Sequence, residues 1–134
     1  MFFVTAFVFF AASYISFTDA CSCPNLPERT LWCGYPVVMR AIVTTDADEL
    51  NKYNISVVRI FKNAHNNPSP KFLQAPPKFQ AGLCSFTFYK NAEYLLAGQI
   101  NGDTFVTTAC ARNRQWSELP KEDVKKLESA KYCD

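Results

Sequence analysis

The chain has 134 residues with 14 Lys+Arg against 12 Asp+Glu, so its formal charge of +2 is too small to argue for a nucleic-acid partner. The apolar share of 49% is inflated at one end, because the first 20 residues hold six of the twelve Phe and no charge except Asp19. With one His and six Cys, the composition is poor in the usual acid–base and metal-site chemistry and rich in potential cross-links.

Residues 2–10 form an apolar run interrupted only by Thr5, and Thr18-Asp19-Ala20 places small residues three before and one before a cleavage point. This pattern predicts a secretory signal over residues 1–20 and a secreted, extracellular product. A signal anchor is the competing reading, since residues 1–17 approach bilayer length and lack a basic start. Against it, Ser13, Tyr14, Ser16 and Thr18 thin the apolar character and Cys21 follows at once. Cleavage after Ala20 leaves 114 residues with 14 basic and 11 acidic side chains, one small domain without a second run of membrane length. A core of that size is modest, and an even number of cysteines in an oxidising compartment predicts three disulfides.

In chain order, Pro27 followed by good helix formers predicts a helical turn over 27–33. The β-branched run 37–43 after Gly34-Tyr35-Pro36 predicts a strand. Residues 44–52, with Asp46, Asp48 and Glu49, read as a polar turn. Residues 53–57 alternate with period two into Val58, Ile60 and Phe61, a second strand. The Asn- and Pro-rich residues 63–70 predict an exposed loop, followed by a short strand at 71–74 before Pro76-Pro77. Residues 84–89 alternate again, as a strand does. Residues 94–100 and 103–108 flank Asn101-Gly102, which predicts a tight type I′ hairpin with two positive φ angles. Beyond Trp116 the period changes: Pro120, the Val124/Leu127 spacing and the Glu122/Lys126 pair predict a helix over about 121–132. Five or six short strands with helices at both ends suggest a mainly β fold, a small closed OB-like Greek-key barrel with flanking helices, although composition alone does not separate it from a sandwich.

Catalysis is poorly supported, and the chain is expected not to be an enzyme. A single His makes neither an HExxH site nor a three-His centre, and His65 falls in the Asn/Pro-rich loop. No paired CxxC spacing supports zinc binding by the cysteines. Lys121, Lys125, Lys126 and Lys131 read as a solvated helix face that complements the helix dipole. Asn54-Ile55-Ser56 is an N-glycosylation sequon if Asn54 faces solvent, whereas Pro68 excludes Asn67.

The informative feature is positional. After cleavage the chain begins Cys21-Ser22-Cys23, two cysteines too close to bridge each other easily, so each is tied to a distant partner and the terminus is pinned where termini usually fray. A pinned α-amine beside its own carbonyl is a rigid N,O donor, and its unperturbed pKa near about 7.7 to 8.0 lets it lose its proton to a metal. Such a group fits the open coordination position of a catalytic zinc in another protein. The bland alternative is that Cys21 and Cys23 are staples only.

Cys-x-Cys at the expected terminus, Cys33 ten positions after Cys23, then Cys84, Cys110 and Cys133, resembles the N-terminal netrin-like (NTR) domain of the tissue inhibitors of metalloproteinases. Supporting segments in the same order are Val38-Met39-Arg40-Ala41, residues 53–62, Leu95-Leu96-Ala97-Gly98 through Asn101-Gly102 to Cys110, and Trp116-Ser117-Glu118-Leu119. The resemblance covers nearly all of residues 21–134. It implies an OB-like barrel and the pairings Cys21 with Cys84, Cys23 with Cys110 and Cys33 with Cys133. It further implies inhibition of secreted or cell-surface zinc metalloproteinases. The Cys21 amine and carbonyl would chelate the target's zinc, and Ser22 would enter the primed specificity pocket. Cys23, Pro24 and Asn25 would lie along the primed cleft, with Gly82, Leu83 and Cys84 on the other side of the metal. The protein would need no cofactor of its own, the zinc being the target's, and would act as a monomer. Pro24-Asn25 and Ala81-Gly82-Leu83 depart from the common family pattern, and the chain stops before a second domain. The alternative function is a non-inhibitory NTR-type module for another extracellular partner.

Overall fold

A computed structural model of the chain describes residues 23, 27–77, 86–111 and 113–129. The elements in order are helix α1 (Glu28–Cys33), strands β1 (Val37–Val43), β2 (Lys52–Asn63), β3 (Phe72–Gln74), β4 (Glu93–Asn101), β5 (Thr104–Val106) and β6 (Arg114–Gln115), and helix α2 (Lys121–Glu128). Single 3-10 turns lie at Ala109–Ala111 and Trp116–Glu118. Strand pairing runs β1-β2-β3-β5-β4 and returns from β4 to β1, so five strands close a barrel and β6 extends it beside β4. The fold is the expected small closed β-barrel. Its closure includes one parallel pair, β3 with β5, in which Leu73 lies opposite Phe105.

β1 is apolar at every position except Arg40 because both of its faces are covered. Val37, Met39, Ala41 and Val43 point into the barrel with Tyr53, Leu73, Tyr94, Leu96 and Phe105. Val38 points the other way and joins Trp32, Leu95, Ala97, Ala111, Leu119 and Leu127 in an outer layer under the helices. Each large side chain sequestered in this way contributes about 1.5–3 kcal/mol relative to exposure. Lys62 Nζ donates to the Cys33 carbonyl at 2.6 Å, which satisfies one of the open carbonyls at the end of α1.

The twelve-residue β2 bends because its register against β1 skips twice. Lys62 pairs with Val38 and Ile60 with Met39, leaving Phe61 as an extra residue, and Val58 is skipped in the same way between Arg59 and Val57. Such bulges turn a strand and redirect a side chain. Phe61 accordingly packs in the outer layer, stacked on Trp116 at 6.0 Å between ring centroids. Arg40 covers Trp116 at 4.2 Å and pairs with Glu93 across β1 and β4.

Three expectations need correction. The described part of the predicted strand 84–89, residues 86–89, forms no ladder with any strand. Its amides find side chains instead: Phe88 N–H donates to the Tyr53 hydroxyl (3.1 Å) and Tyr89 N–H to the Tyr94 hydroxyl (2.8 Å). The β4–β5 turn has one positive φ, at Gly102 (64°), with Asn101 still in the strand opposite Thr104. Its central residues are therefore Gly102 and Asp103, the pattern of a type II′ turn rather than I′. Helix α2 ends at Glu128, with Ser129 closing it through a 2.7 Å bond from its hydroxyl to the Lys126 carbonyl, earlier than the period alone suggests.

Candidate functional site

Of the residues expected to form the site, the structure describes Cys23, which is exposed and disulfide-bonded to Cys110 with the Cα atoms 5.3 Å apart and 87 residues of chain between them. Cys21, Ser22, Pro24, Asn25, Gly82, Leu83 and Cys84 lie outside the described residues, as does Cys133. Cys33 is also disulfide-bonded. Asn54 is exposed on β2, where its amide N–H donates to Thr45 Oγ1 at 2.9 Å.

The chain reaches Cys110 through Thr107, which is 2% exposed. Thr107 Oγ1 donates to the Ala97 carbonyl on β4 (2.8 Å), and Asn113, past the turn, returns to the same residue by accepting the Ala97 N–H on Oδ1 (3.0 Å). The 3-10 turn that carries the cysteine holding Cys23 is therefore anchored to β4 of the barrel wall on both of its sides.

A second set of polar contacts lies beside residues 78–85, the segment that carries the expected Gly82, Leu83 and Cys84. Asn51, 5% exposed, donates both side-chain N–H groups to backbone carbonyls, one to Pro76 (3.0 Å) and one to Phe86 (2.9 Å). Its Oδ1 accepts from the Tyr53 hydroxyl at 2.6 Å. Burial raises the pKa of Tyr53 above its ordinary value of 10.0, while the bond from Phe88 N–H acts in the opposite direction. One asparagine thus clips together the two chain ends that enter and leave 78–85. Neither this clip nor the Thr107/Asn113 pair was anticipated from the sequence, since their partners are backbone groups far along the chain. The only local signal was an Asn at the end of a polar turn, a residue that tolerates φ near +60°.

Among the described residues there is no cluster of three or more His, Cys, Asp or Glu able to hold a metal, and no helix long and apolar enough to cross a membrane. Residues 19–133 match the family model described as tissue inhibitor of metalloproteinase. The chain belongs to that family. No individual curated protein matches it. The tissue inhibitor of metalloproteinase family is one of inhibitors, not enzymes, and its partners are metalloproteinases. In this member of the family, the Cys23–Cys110 bridge ties the chain at residue 23 to the turn after β5.

Proposed function

We propose that the protein is a secreted inhibitor of zinc metalloendopeptidases that caps the target's catalytic zinc with the amine and carbonyl of Cys21, exposed by removal of residues 1–20. The observation that carries this reading is the Cys23–Cys110 bridge within a family match that begins at residue 19. A bridge two residues from the expected terminus restricts where the amine can go, and that restriction lowers the ordering cost of binding. In this reading Ser22 enters the primed pocket, and Cys23, Pro24 and Asn25 follow the cleft in an extended path. The Cys21–Cys84 bridge then brings Gly82 and Leu83 to the opposite side of the metal. The zinc is the enzyme's own; the inhibitor contributes only donor atoms and shape. Pro24 suits the extended path because its φ near −65° is close to strand and polyproline values, and it gives up one N–H donor there.

The test is chemical. Adding one Ala before Cys21, or acetylating the Cys21 amine, converts an amine donor into an amide that coordinates zinc poorly and crowds the metal. Inhibition of a zinc metalloendopeptidase should weaken by at least about two orders of magnitude, equivalent to about 2.8 kcal/mol, with an unchanged far-UV circular dichroism spectrum. An extended variant that inhibits as well as the parent, or a parent that inhibits no such enzyme, turns the reading towards the non-inhibitory NTR-type module.

A further inference from the structure

We propose that Thr107 and Asn113 are positioning residues for the inhibitory terminus, holding the Cys110 turn, and through it Cys23, at one place on the barrel wall. The inference deepens the zinc-capping reading and rests on it.

One edge of β4 is covered by β1, but the other is shared: β6 pairs with Tyr94 and Leu95, and β5 pairs with Gln99, Ile100 and Asn101. Between them stands Ala97, fully buried, whose N–H and C=O have no strand beside them on that edge. Buried backbone groups left in that state are costly. Here they are satisfied by a closed ring of three hydrogen bonds. Ala97 N–H donates to Asn113 Oδ1 (3.0 Å), Asn113 Nδ2 donates to Thr107 Oγ1 (2.8 Å), and Thr107 Oγ1 donates to the Ala97 carbonyl (2.8 Å). Each member gives one proton and takes one, so the ring polarises itself around its circuit. Each side chain is also chemically specified, since Val at 107 neither donates nor accepts and Asp at 113 cannot donate when ionised.

Thr107 and Asn113 stand three residues before and three after Cys110, so the ring closes the base of the excursion that carries the bridge. Two further contacts fix the same stretch. Thr107 N–H donates to the Gln74 carbonyl on β3 (3.1 Å), and Ala111, buried in the outer layer, donates its N–H to the Thr108 carbonyl (3.2 Å). Cys110 is thereby held from both sides, and Cys23 rides on it.

Thr107→Val is nearly isosteric and breaks the ring at two bonds. Its inhibition constant against a zinc metalloendopeptidase should rise about tenfold, and hydrogen exchange at the bonded amides of Ala97 and Ala111 should quicken, with Thr107→Ser restoring both. Ile55→Val, in the barrel interior, serves as a control that lowers the melting temperature without touching the ring, and its inhibition constant should stay at the parent's. Equal inhibition by parent and Thr107→Val, or an equal loss in Ile55→Val, overturns the positioning role. If the parent inhibits no zinc endopeptidase, the zinc-capping reading fails and exchange decides the ring by itself: faster exchange in Thr107→Val supports it, and unchanged protection overturns it. Should Thr107→Val fail to fold, Asn113→Asp, which keeps the acceptor for Ala97 and loses the donor, carries the same expectations.

Discussion

The backbone of Asn51 lies in the left-handed region (φ 60°), a conformation Asn adopts more readily than most residues, and this orientation lets its side chain reach two carbonyls ten residues apart. Tyr53 completes the arrangement by donating to Asn51 and accepting from Phe88. Tyr53→Phe should cost about 1–3 kcal/mol in urea denaturation, because it leaves a buried acceptor and a buried N–H unpaired. The pH dependence has a definite sign. Burial raises the folded-state pKa of Tyr53 above 10.0, so above that pH the unfolded chain releases a proton that the folded chain retains. The Tyr53 contribution is fully present below 10.0 and is lost as pH rises towards the folded value. Parent and Tyr53→Phe should therefore differ less in stability at about pH 11 than at about pH 8. None of this was legible beforehand: alternation marked Tyr53 as inward-facing, but not that its hydroxyl would act as a ladder partner for residue 88.

At the scale of elements, the hairpin between β4 and β5 shows what local patterns specify. Its position could be read from Asn101-Gly102, yet the turn type was set by where the strands pair, which placed Asn101 in the strand and Gly102 at the first central position. Residues 86–89 show the converse. Their alternation is genuine, with Phe88 buried and Thr87 and Tyr89 exposed, but the N–H groups of Phe88 and Tyr89 bond to tyrosine hydroxyls rather than to a neighbouring strand. Gly98 is the tightest point of β4: a Cβ there would lie 2.1 Å from the Val106 carbonyl oxygen and 3.2 Å from the Phe105 ring. The nearest atom is backbone, so it cannot swing aside. Gly98→Ala should destabilise the domain by about 1–3 kcal/mol or more, read as a lowered melting temperature, through separation of β4 from β5.

For the whole molecule, the barrel was legible from strand number and spacing, and the family pattern from the cysteines, whereas the site is only partly described because most of its residues lie in 21–26 and 78–85. The described part couples function to stability. The Cys23–Cys110 bridge spans 87 residues, so replacing both by Ser should remove up to about 4.5 kcal/mol in the chain-entropy account, measured by chemical denaturation. In the zinc-capping reading the same pair of substitutions also frees the terminus, so inhibition should fall even at temperatures where the barrel remains folded.

Closure of β1 on β4 sets a timetable for the chain's maturation. Val37 must find Gly98, and β2 must be in place before β3 can bring β5 alongside, so the wall closes only when two pairs of strands that are not consecutive, β1 with β4 and β3 with β5, have met. Topologies of this kind acquire their native contacts late and slowly. Six cysteines, meanwhile, admit fifteen pairings. Oxidation that outruns closure samples those pairings at random, whereas oxidation that follows it finds Cys110 already seated and Cys23 within reach. The yield of native protein thus becomes a contest between two clocks, and a redox buffer that permits reshuffling should recover far more of it than rapid air oxidation.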